Sequence, residues 1–220
     1  MITVHHLNDS RSQRVLWLLE ELGLPYEVKR YQRDARTMLA PAALKAIHPL
    51  GKSPVLDDGD VRVAETGAIV EYLLEAYGGA LRPPPGTAER RRYTYWLHYA
   101  EGSAMTPLLL KLIFSQIPKR VPLLIRPVAK AISRGMDRRM IDPQLAAHTA
   151  YWEAELERSD WFAGDSLSAA DIMMSFPVEA AVSRTGYGAD KPRLKAFLDR
   201  IHARPAWQRA LERGGPYSYA

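Results

Sequence analysis

Residues 48–56 read His48-Pro49-Leu50-Gly51-Lys52-Ser53-Pro54-Val55-Leu56, and residues 64–69 read Ala64-Glu65-Thr66-Gly67-Ala68-Ile69. The first block predicts a turn and then an extended segment that begins at Pro54, since proline is tolerated at the first residue of a strand. The interval Asp57-Asp58-Gly59-Asp60 is typical of a hairpin loop. The second block predicts a helix that opens with an acid and a hydroxyl. A turn, a strand, a hairpin and a helix therefore follow one another here.

The polar groups of these two blocks suit the binding of a small peptide. Pro54 has no N–H group, so it leaves neighbouring backbone groups free for a ligand. Lys52, just before it, can pair with a carboxylate. Glu65 and Thr66 fall at a helix start, where backbone N–H groups and the helix dipole favour an anion. Together these residues can recognise a molecule with two carboxylates and an amine.

The chain before these blocks alternates strands and helices. Residues 2–6 alternate and are β-branched, which predicts a strand, and residues 15–22 carry apolar side chains at helical spacing. Residues 26–31 read as a second strand and residues 36–47 as a second helix. The whole order is then β-α-β-α-β-β-α, that of a thioredoxin-like domain, which we place at residues 1–80.

A proline-rich segment, Leu81–Gly86, predicts a stiff linker. Residues 87–220 read as helix almost throughout, with a kink or break expected at Pro107. The sequence Ser168-Ala169-Ala170-Asp171 predicts a capping box that starts a helix over residues 169–184. The predicted fold class is therefore α/β plus all-α, with a thioredoxin-like N-terminal domain followed by an all-helical C-terminal domain.

The two blocks resemble the glutathione transferase family, whose first domain carries N/H-P-x-G-K-x-P-V-L and E-S/T-x-A-I in this order. The family's helical domain carries L-S/T-x-x-D-I, which residues 167–172 match. The resemblance implies that residues 1–80 bind glutathione, with a cis proline at Pro54, and that residues 87–220 carry the electrophile site. It also implies a homodimer, with glutathione as co-substrate and no further cofactor.

Two serines between the first strand and the first helix are the catalytic candidates. In the family a hydroxyl at this helix start stabilises the thiolate of glutathione. One family pattern places a serine four residues before the arginine of an R-V pair, which is Ser10 before Arg14. Ser12 is the second candidate, and Asp9 departs from the pattern with a spacing of five. Arg11 either adds positive charge near the thiolate or is only solvated.

The resemblance also implies a set of glutathione-binding residues. These are Arg11, His48, Lys52, Ser53, Pro54, Val55, Glu65 and Thr66. Lys52 would pair with the glycyl carboxylate, and the backbone of Val55 would bond the cysteinyl part. Glu65 and Thr66 would hold the γ-glutamyl end. His48 either assists or caps a turn.

Hydrophobic electrophiles are expected to contact the helical domain. The candidate residues are Tyr99, Met105, Leu109 and Phe114. Apolar residues at helical spacing are equally consistent with a core. The aromatic segment Tyr93–Tyr99 could line the cleft or a subunit interface.

The amino-acid composition excludes several classes of protein and several kinds of site for this chain. Apolar residues make up 47% and charged residues 25%, as in a globular protein. A run of 18 apolar residues is missing, so stable membrane insertion is not expected. The N-terminus reads as mature protein, and a cytoplasmic location is the expected default. The chain has no cysteine, which excludes disulfides, thiolate zinc sites and a cysteine nucleophile, and the histidine spacing predicts no metal site.

The net charge of +5 is unevenly distributed. Residues 111–140 contain eight Lys or Arg and only one Asp. Such a segment can be a nucleic-acid or membrane patch, a solvated helix face, or a region that draws anionic glutathione to the cleft. We expect no nucleic-acid partner.

The resulting expectation is a serine-type glutathione transferase that joins glutathione to electrophilic small molecules, with hydroperoxide reduction as a further activity. One alternative is a non-catalytic binding or interaction protein of the same fold. The presence of Lys52, Pro54, Glu65 and Thr66 together argues against it. Another alternative is a glutathione-dependent isomerase or dehalogenase of narrow specificity.

Overall fold

The computed structural model describes residues 1–34 and 36–219. The N-terminal domain has the predicted order of elements. They are β1 (Ile2–Leu7), α1 (Gln13–Leu22), β2 (Tyr26–Tyr31), α2 (Ala43–Ile47), β3 (Val55–Asp58), β4 (Val61–Ala64) and α3 (Thr66–Tyr77). The four strands form one sheet in the order β2-β1-β3-β4, in which β1 is parallel to β2 and antiparallel to β3.

The register of the sheet brings three chain segments to one edge. His5 of β1 pairs with Val55 of β3, and Val55 pairs with Ala64 of β4. The end of β1, the start of β3 and the end of β4 therefore lie side by side. The segments that follow or precede them, residues 8–12, 48–54 and 65–66, must meet at that edge.

The second helix is shorter than predicted. Residues 36–47 were expected to be helical, but only Ala43–Ile47 form α2. The carboxylate of Asp34 accepts hydrogen bonds from the backbone N–H and the hydroxyl of Thr37, at 2.7 and 2.9 Å. This local turn competes with a helix for the same backbone groups, and Pro41 then restricts the chain again.

The C-terminal domain is helical. Its α-helices are α4 (Ala88–Tyr99), α5 (Met105–Arg120), α6 (Arg126–Met136), α7 (Asp142–Leu156), α8 (Ala169–Ala180), α9 (Pro192–His202) and α10 (Pro205–Gly214). A π-helical segment, Ala100–Ala104, separates α4 from α5 and confirms the break expected at Pro107. Pro107 lacks the N–H group that would bond the carbonyl of Ser103, so the α-helical ladder is interrupted there.

The helix α8 is the buried centre of this domain, and its start confirms the predicted capping box. The carboxylate of Asp171 accepts from the N–H and the hydroxyl of Ser168, at 2.9 and 2.8 Å. The N–H of Phe162 donates to the same carboxylate at 2.7 Å. The α-helix ends at Ala180 and continues as a π-helical segment to Thr185, close to the predicted bound.

Helix α1 joins the two domains, since it packs against β1 and α3 of its own domain and against α8 and α10 of the other. Its side chains from Gln13 to Leu19 are all buried. The first turn of α1 is thereby fixed from both sides. Among the helices of the described residues, none is at once long enough and apolar enough to cross a bilayer.

Candidate functional site

The predicted catalytic and glutathione-binding residues lie in the segments that converge at the sheet edge where β1 ends. Ser53 connects two of the converging segments, because its hydroxyl donates to the carbonyl of His5 at 2.8 Å and accepts from the N–H of Leu7 at 3.1 Å. The Ser53–Pro54 peptide bond is cis, as the resemblance implied. The loop of residues 48–54 is thus tied to the end of β1, beside the two candidate serines.

Ser10 and Ser12 form a pair in the loop between β1 and α1. Their hydroxyl oxygens lie 2.7 Å apart, and the N–H of Ser12 donates to the oxygen of Ser10 at 3.3 Å. Ser12 is wholly buried, whereas Ser10 retains 6% of its surface. Ser10 is therefore the serine that keeps accessible surface, and the hydroxyl of Ser12 is enclosed beside it.

A third polar group, His6, continues this arrangement inward. Its Nδ1 lies 2.9 Å from the hydroxyl oxygen of Ser12, and the imidazole is buried. Burial, assisted by the positive charge of Arg30, lowers the pKa of His6 to about 4. The ring is therefore neutral at neutral pH. Sequence reasoning missed His6, although it continues the buried face of Ile2 and Val4 along β1, where an apolar residue is the ordinary choice.

An arginine from α1 fastens this loop to the helical domain. Arg14 is only 1% exposed and donates to the carbonyl of Met173 at 2.8 Å and to the Thr66 hydroxyl at 3.5 Å. It also forms a close ion pair with Glu101, and Arg11 pairs with the other oxygen of that carboxylate at 3.2 Å. Arg11 is thus neither free nor simply solvated.

The charge of Glu101 is maintained by these two arginines. Burial tends to raise the pKa of Glu101, but Arg14 and Arg11 outweigh burial and lower it below its usual value. Sequence reasoning missed both Arg14 as a binding partner and Glu101. Their positions are 87 residues apart, and no local pattern relates them.

The start of α3 has an unusual backbone. Glu65, the residue before α3, has φ +73°, and its carbonyl accepts from the N–H of Ile69 at 2.9 Å. A non-glycine residue in this region costs about 1–3 kcal/mol, and such residues cluster at functional sites. The side chain of Glu65 is exposed, while Thr66 is buried against Arg14. The anionic ligand predicted here would meet the first free N–H groups of α3.

Lys52 and His48 remain available for a ligand. Lys52 is exposed, and it takes part in no ion pair within residues 1–34 and 36–219. The backbone N–H of His48 donates to the carbonyl of Leu44 at 3.0 Å and ends α2, while its half-buried ring forms no side-chain hydrogen bond in the same described ranges. The backbone of His48 caps the helix, and its ring is free to assist.

Val55 occupies a different environment from the one expected. It is fully buried, and its backbone lies between His5 of β1 and Ala64 of β4. Two strands therefore flank the backbone that was expected to bond a peptide. Ser53 lies just before the strand and, in the part of the chain that the structure describes, forms no backbone–backbone hydrogen bond.

The four electrophile candidates differ in burial. Met105, at the start of α5, is buried in the core. Tyr99 and Phe114 are both half-buried, and the hydroxyl of Tyr99 is engaged by Trp152 at 3.1 Å and by His148 of α7. Leu109 is 47% exposed. Apolar spacing does not separate core from cleft, so only the structure removes Met105 and leaves the other three with accessible surface.

The described ranges, residues 1–34 and 36–219, contain no group of three His, Asp or Glu side chains close enough to hold a metal ion. The basic segment 111–140 covers most of α5 and all of α6. Lys111 is paired internally with Asp142 at 2.7 Å and Asp137 at 3.3 Å. Leu124 and Val128 of the same segment are exposed beside its cations.

Comparison with known proteins gives consistent matches over the two domains. The family model described as glutathione S-transferase, N-terminal domain, matches residues 1–75, and that described as glutathione S-transferase, C-terminal domain, matches residues 119–205. The chain is 34% identical to glutathione S-transferase 3 of Schizosaccharomyces pombe, over 97% of this chain and 88% of that protein. It is also 34% identical to glutathione S-transferase 1 of Saccharomyces cerevisiae, over 97% and 95% of the two chains.

Among solved structures, a crystal structure of a glutathione S-transferase from Actinobacillus pleuropneumoniae matches with a TM-score of 0.77 and 33% identity. The match covers 99% of this chain and 94% of that one. The similarity therefore extends through both domains and the segment that joins them.

Proposed function

This chain belongs to the glutathione S-transferase family, and on that premise we propose that Ser10 is the hydroxyl that activates glutathione for transfer to electrophilic small molecules. The observation that carries this assignment is the depth of the two serines. Ser10 is nearer to the surface, at the start of α1, and Ser12 is enclosed behind it. Of the two serines, Ser10 therefore needs the smaller displacement of neighbouring groups to reach a ligand sulfur.

Ser10 needs to lower the pKa of the glutathione thiol only modestly. A free thiol has a pKa of about 8.5, so only a few per cent of it is thiolate at neutral pH. A hydrogen bond to a charged group contributes about 1.5–3 kcal/mol, and each pKa unit corresponds to about 1.36 kcal/mol. One hydroxyl bond to sulfur therefore lowers the thiol pKa by about one to two units. The dipole of α1 acts in the same direction.

The two ends of glutathione would be held by the groups that converge on the sheet edge. Lys52 supplies a free cation for the glycyl carboxylate. Glu65 and the start of α3 suit the amine and the carboxylate of the γ-glutamyl end. We assign the backbone contact with the cysteinyl part to Ser53 rather than Val55, because the backbone of Val55 lies between two strands.

The electrophile would lie against Leu109 and Phe114, which present surface and, unlike Tyr99, have no hydroxyl already engaged within the helical domain. We also propose that the protein is a cytoplasmic homodimer with a role in detoxification. Exposed aromatic rings on α4 and α7, Tyr95 and Tyr151, support an interface with a second copy. Sedimentation equilibrium tests the dimer, and a monomer at micromolar concentration would contradict it.

The direct test is conjugation of glutathione to a chloronitrobenzene by the wild type, Ser10→Ala and Ser12→Ala. We expect kcat/KM to fall about 10- to 100-fold in Ser10→Ala, from the loss of one charge-assisted hydrogen bond. Ser10→Thr, which keeps a hydroxyl, is the matched control and should keep more activity. Full activity in Ser10→Ala would mean that a residue other than Ser10 contacts the sulfur of glutathione. Failure of the wild type to bind glutathione in a calorimetric titration would refute the transferase function itself.

A further inference from the structure

The hydrogen bonds behind Ser10 form a chain that ends on a histidine. The hydroxyl oxygens of Ser10 and Ser12 are 2.7 Å apart, and Ser12 is 2.9 Å from Nδ1 of His6. The three side chains are buried, and the carbonyl of Leu7, at 3.4 Å, is a weaker alternative acceptor for the Ser12 proton. A hydrogen-bonded chain of three side chains is longer than the positioning of Ser10 alone requires.

Which group donates and which accepts in each of these hydrogen bonds depends on the position of the ring proton of His6. A serine hydroxyl has a single proton to donate, and a neutral imidazole carries its proton on only one of two nitrogens. If the proton is on Nε2, then Nδ1 must accept from Ser12, and Ser12 accepts from Ser10. If the proton is on Nδ1, each bond is reversed, and the Ser10 hydroxyl is free to donate outward.

We propose that Ser12 and His6 are positioning residues for thiol activation, and that a change of His6 tautomer switches Ser10 from accepting the thiol proton to donating a hydrogen bond to the thiolate. The proposal deepens, and rests on, the assignment of Ser10 in glutathione transfer. His6 touches neither substrate nor reacting atoms and acts only through the serines.

The surroundings of the ring supply a route for the proton. The backbone of Gly214 lies beside the imidazole. A cavity of about 90 Å³, lined by His6, Arg30 and Gly214 among others, opens beside the ring and has room for a few water molecules. Asp9 and Arg30 are the charged groups that face His6. Arg30 disfavours an imidazolium, so a proton that arrives on the ring is readily passed on.

The step balances as a set of proton shifts. The thiol gives its proton to the oxygen of Ser10 and keeps the electron pair of the broken S–H bond. Ser10 passes its own proton to Ser12, Ser12 passes its own to Nδ1 of His6, and His6 releases the Nε2 proton to water in the cavity. The products are a thiolate, which now accepts from the Ser10 hydroxyl, and one proton in solvent. Because burial keeps His6 neutral, the tautomer changes and not the charge.

The first measurement is the ionisation of bound glutathione, followed by thiolate absorbance against pH. Ser12→Ala and His6→Phe should each raise the thiol pKa by about one unit, so that about tenfold less thiolate is present below the pKa. Activity lost at neutral pH should return at higher pH, with KM for glutathione unchanged. The matched control is His5→Phe, since His5 is equally buried on the same strand but bonds Tyr31 and Asp57 instead. Its thiol pKa should equal that of the wild type.

The second measurement needs no substitution near the site. Nitrogen-15 chemical shifts of the His6 ring should report the Nε2–H form in the free protein and the Nδ1–H form with glutathione bound. A wild type that forms no thiolate with glutathione would refute the proposed function together with this inference. A wild type that forms thiolate, with an unaltered thiol pKa in both variants or an Nε2–H ring in the complex, would overturn the chain alone.

Discussion

At the residue scale, the burial of each side chain in the candidate site is the main guide to its proposed role. Ser10 and Ser12 share one loop and one chemistry, and a difference of 6% in exposure is the basis on which we propose different roles for them. His6 and His5 are adjacent in sequence, but strand alternation directs them to opposite faces, toward Ser12 and toward Tyr31 and Asp57. The same residue type therefore supports the site on one face and the sheet on the other.

The depressed pKa of His6 predicts a pH dependence of stability. The unfolded histidine has a pKa near 6.5 and the folded one near 4, so the unfolded state binds more protons between these values. The free energy of unfolding should therefore fall as pH drops from about 6.5 to 4, by up to about 3 kcal/mol. Urea titrations of wild type and His6→Phe across this range test it, and an equal pH slope in both proteins would contradict it.

Lys52 should act on binding and not on folding. Its side chain is exposed and has no ion pair among the residues described, so Lys52→Ala should leave the melting temperature unchanged. The loss of a charge-assisted contact, about 1.5–3 kcal/mol, should raise the dissociation constant of glutathione about 10- to 100-fold. Calorimetry measures it, with Lys195→Ala as the control on an exposed lysine of the helical domain. Equal affinity in Lys52→Ala and wild type would remove Lys52 from the site.

At the element scale, the starts of two helices, α8 and α3, are built differently. The capping box at the start of α8 satisfies backbone groups of Ser168 and Phe162 through one carboxylate, and α8 forms the centre of its domain. Glu65, just before α3, instead has a positive φ of 73°, and we propose that this helix start binds glutathione. One helix start therefore serves folding and the other is the proposed binding point, although an acid and a hydroxyl stand near both in the sequence.

Removal of the α8 cap should therefore destabilise the fold without changing the chemistry. Asp171→Ala leaves the buried N–H groups of Phe162 and Ser168 without partners, at about 1–3 kcal/mol each. We expect a clear drop in urea midpoint and an unchanged kcat in the protein that remains folded. Asp165→Ala, an exposed aspartate of the preceding loop, is the control and should behave as wild type. A similar urea midpoint for Asp171→Ala and Asp165→Ala would show that Asp171 does not stabilise the fold.

At the scale of the whole molecule, the two domains share an ion pair whose arginine is buried and whose glutamate is 31% exposed. Arg14 of α1 bonds Glu101, Thr66 and the carbonyl of Met173, and so joins the loop of Ser10 to α3, to α8 and to the π-helical segment between α4 and α5. The site is thus assembled by contacts that cross the domain boundary. A disturbance of this ion pair should reach both stability and activity.

Glu101→Gln should destabilise the protein by about 3–5 kcal/mol, because it leaves the buried charge of Arg14 unpaired. Asp160→Asn breaks the pair with Arg200, in which the aspartate is 66% exposed, and should change stability by less than about 1 kcal/mol. Urea unfolding of the two variants makes the comparison. An equal effect in both would show that burial of the Arg14 pair carries no special weight.

The sequence by itself determined the order of elements, the fold class, the capping box at Asp171 and the loop that holds the thiol-activating candidates. These rest on local rules, in which proline, glycine and side-chain periodicity act over a few residues. The tertiary structure alone decided that Ser12 is more deeply buried than Ser10, that His6 and Glu101 contact the loop of these serines, that Val55 is enclosed in the sheet, and that Met105 is core. Burial and partner choice depend on chain segments far apart in sequence, and periodicity identifies an apolar or polar face without naming what covers it.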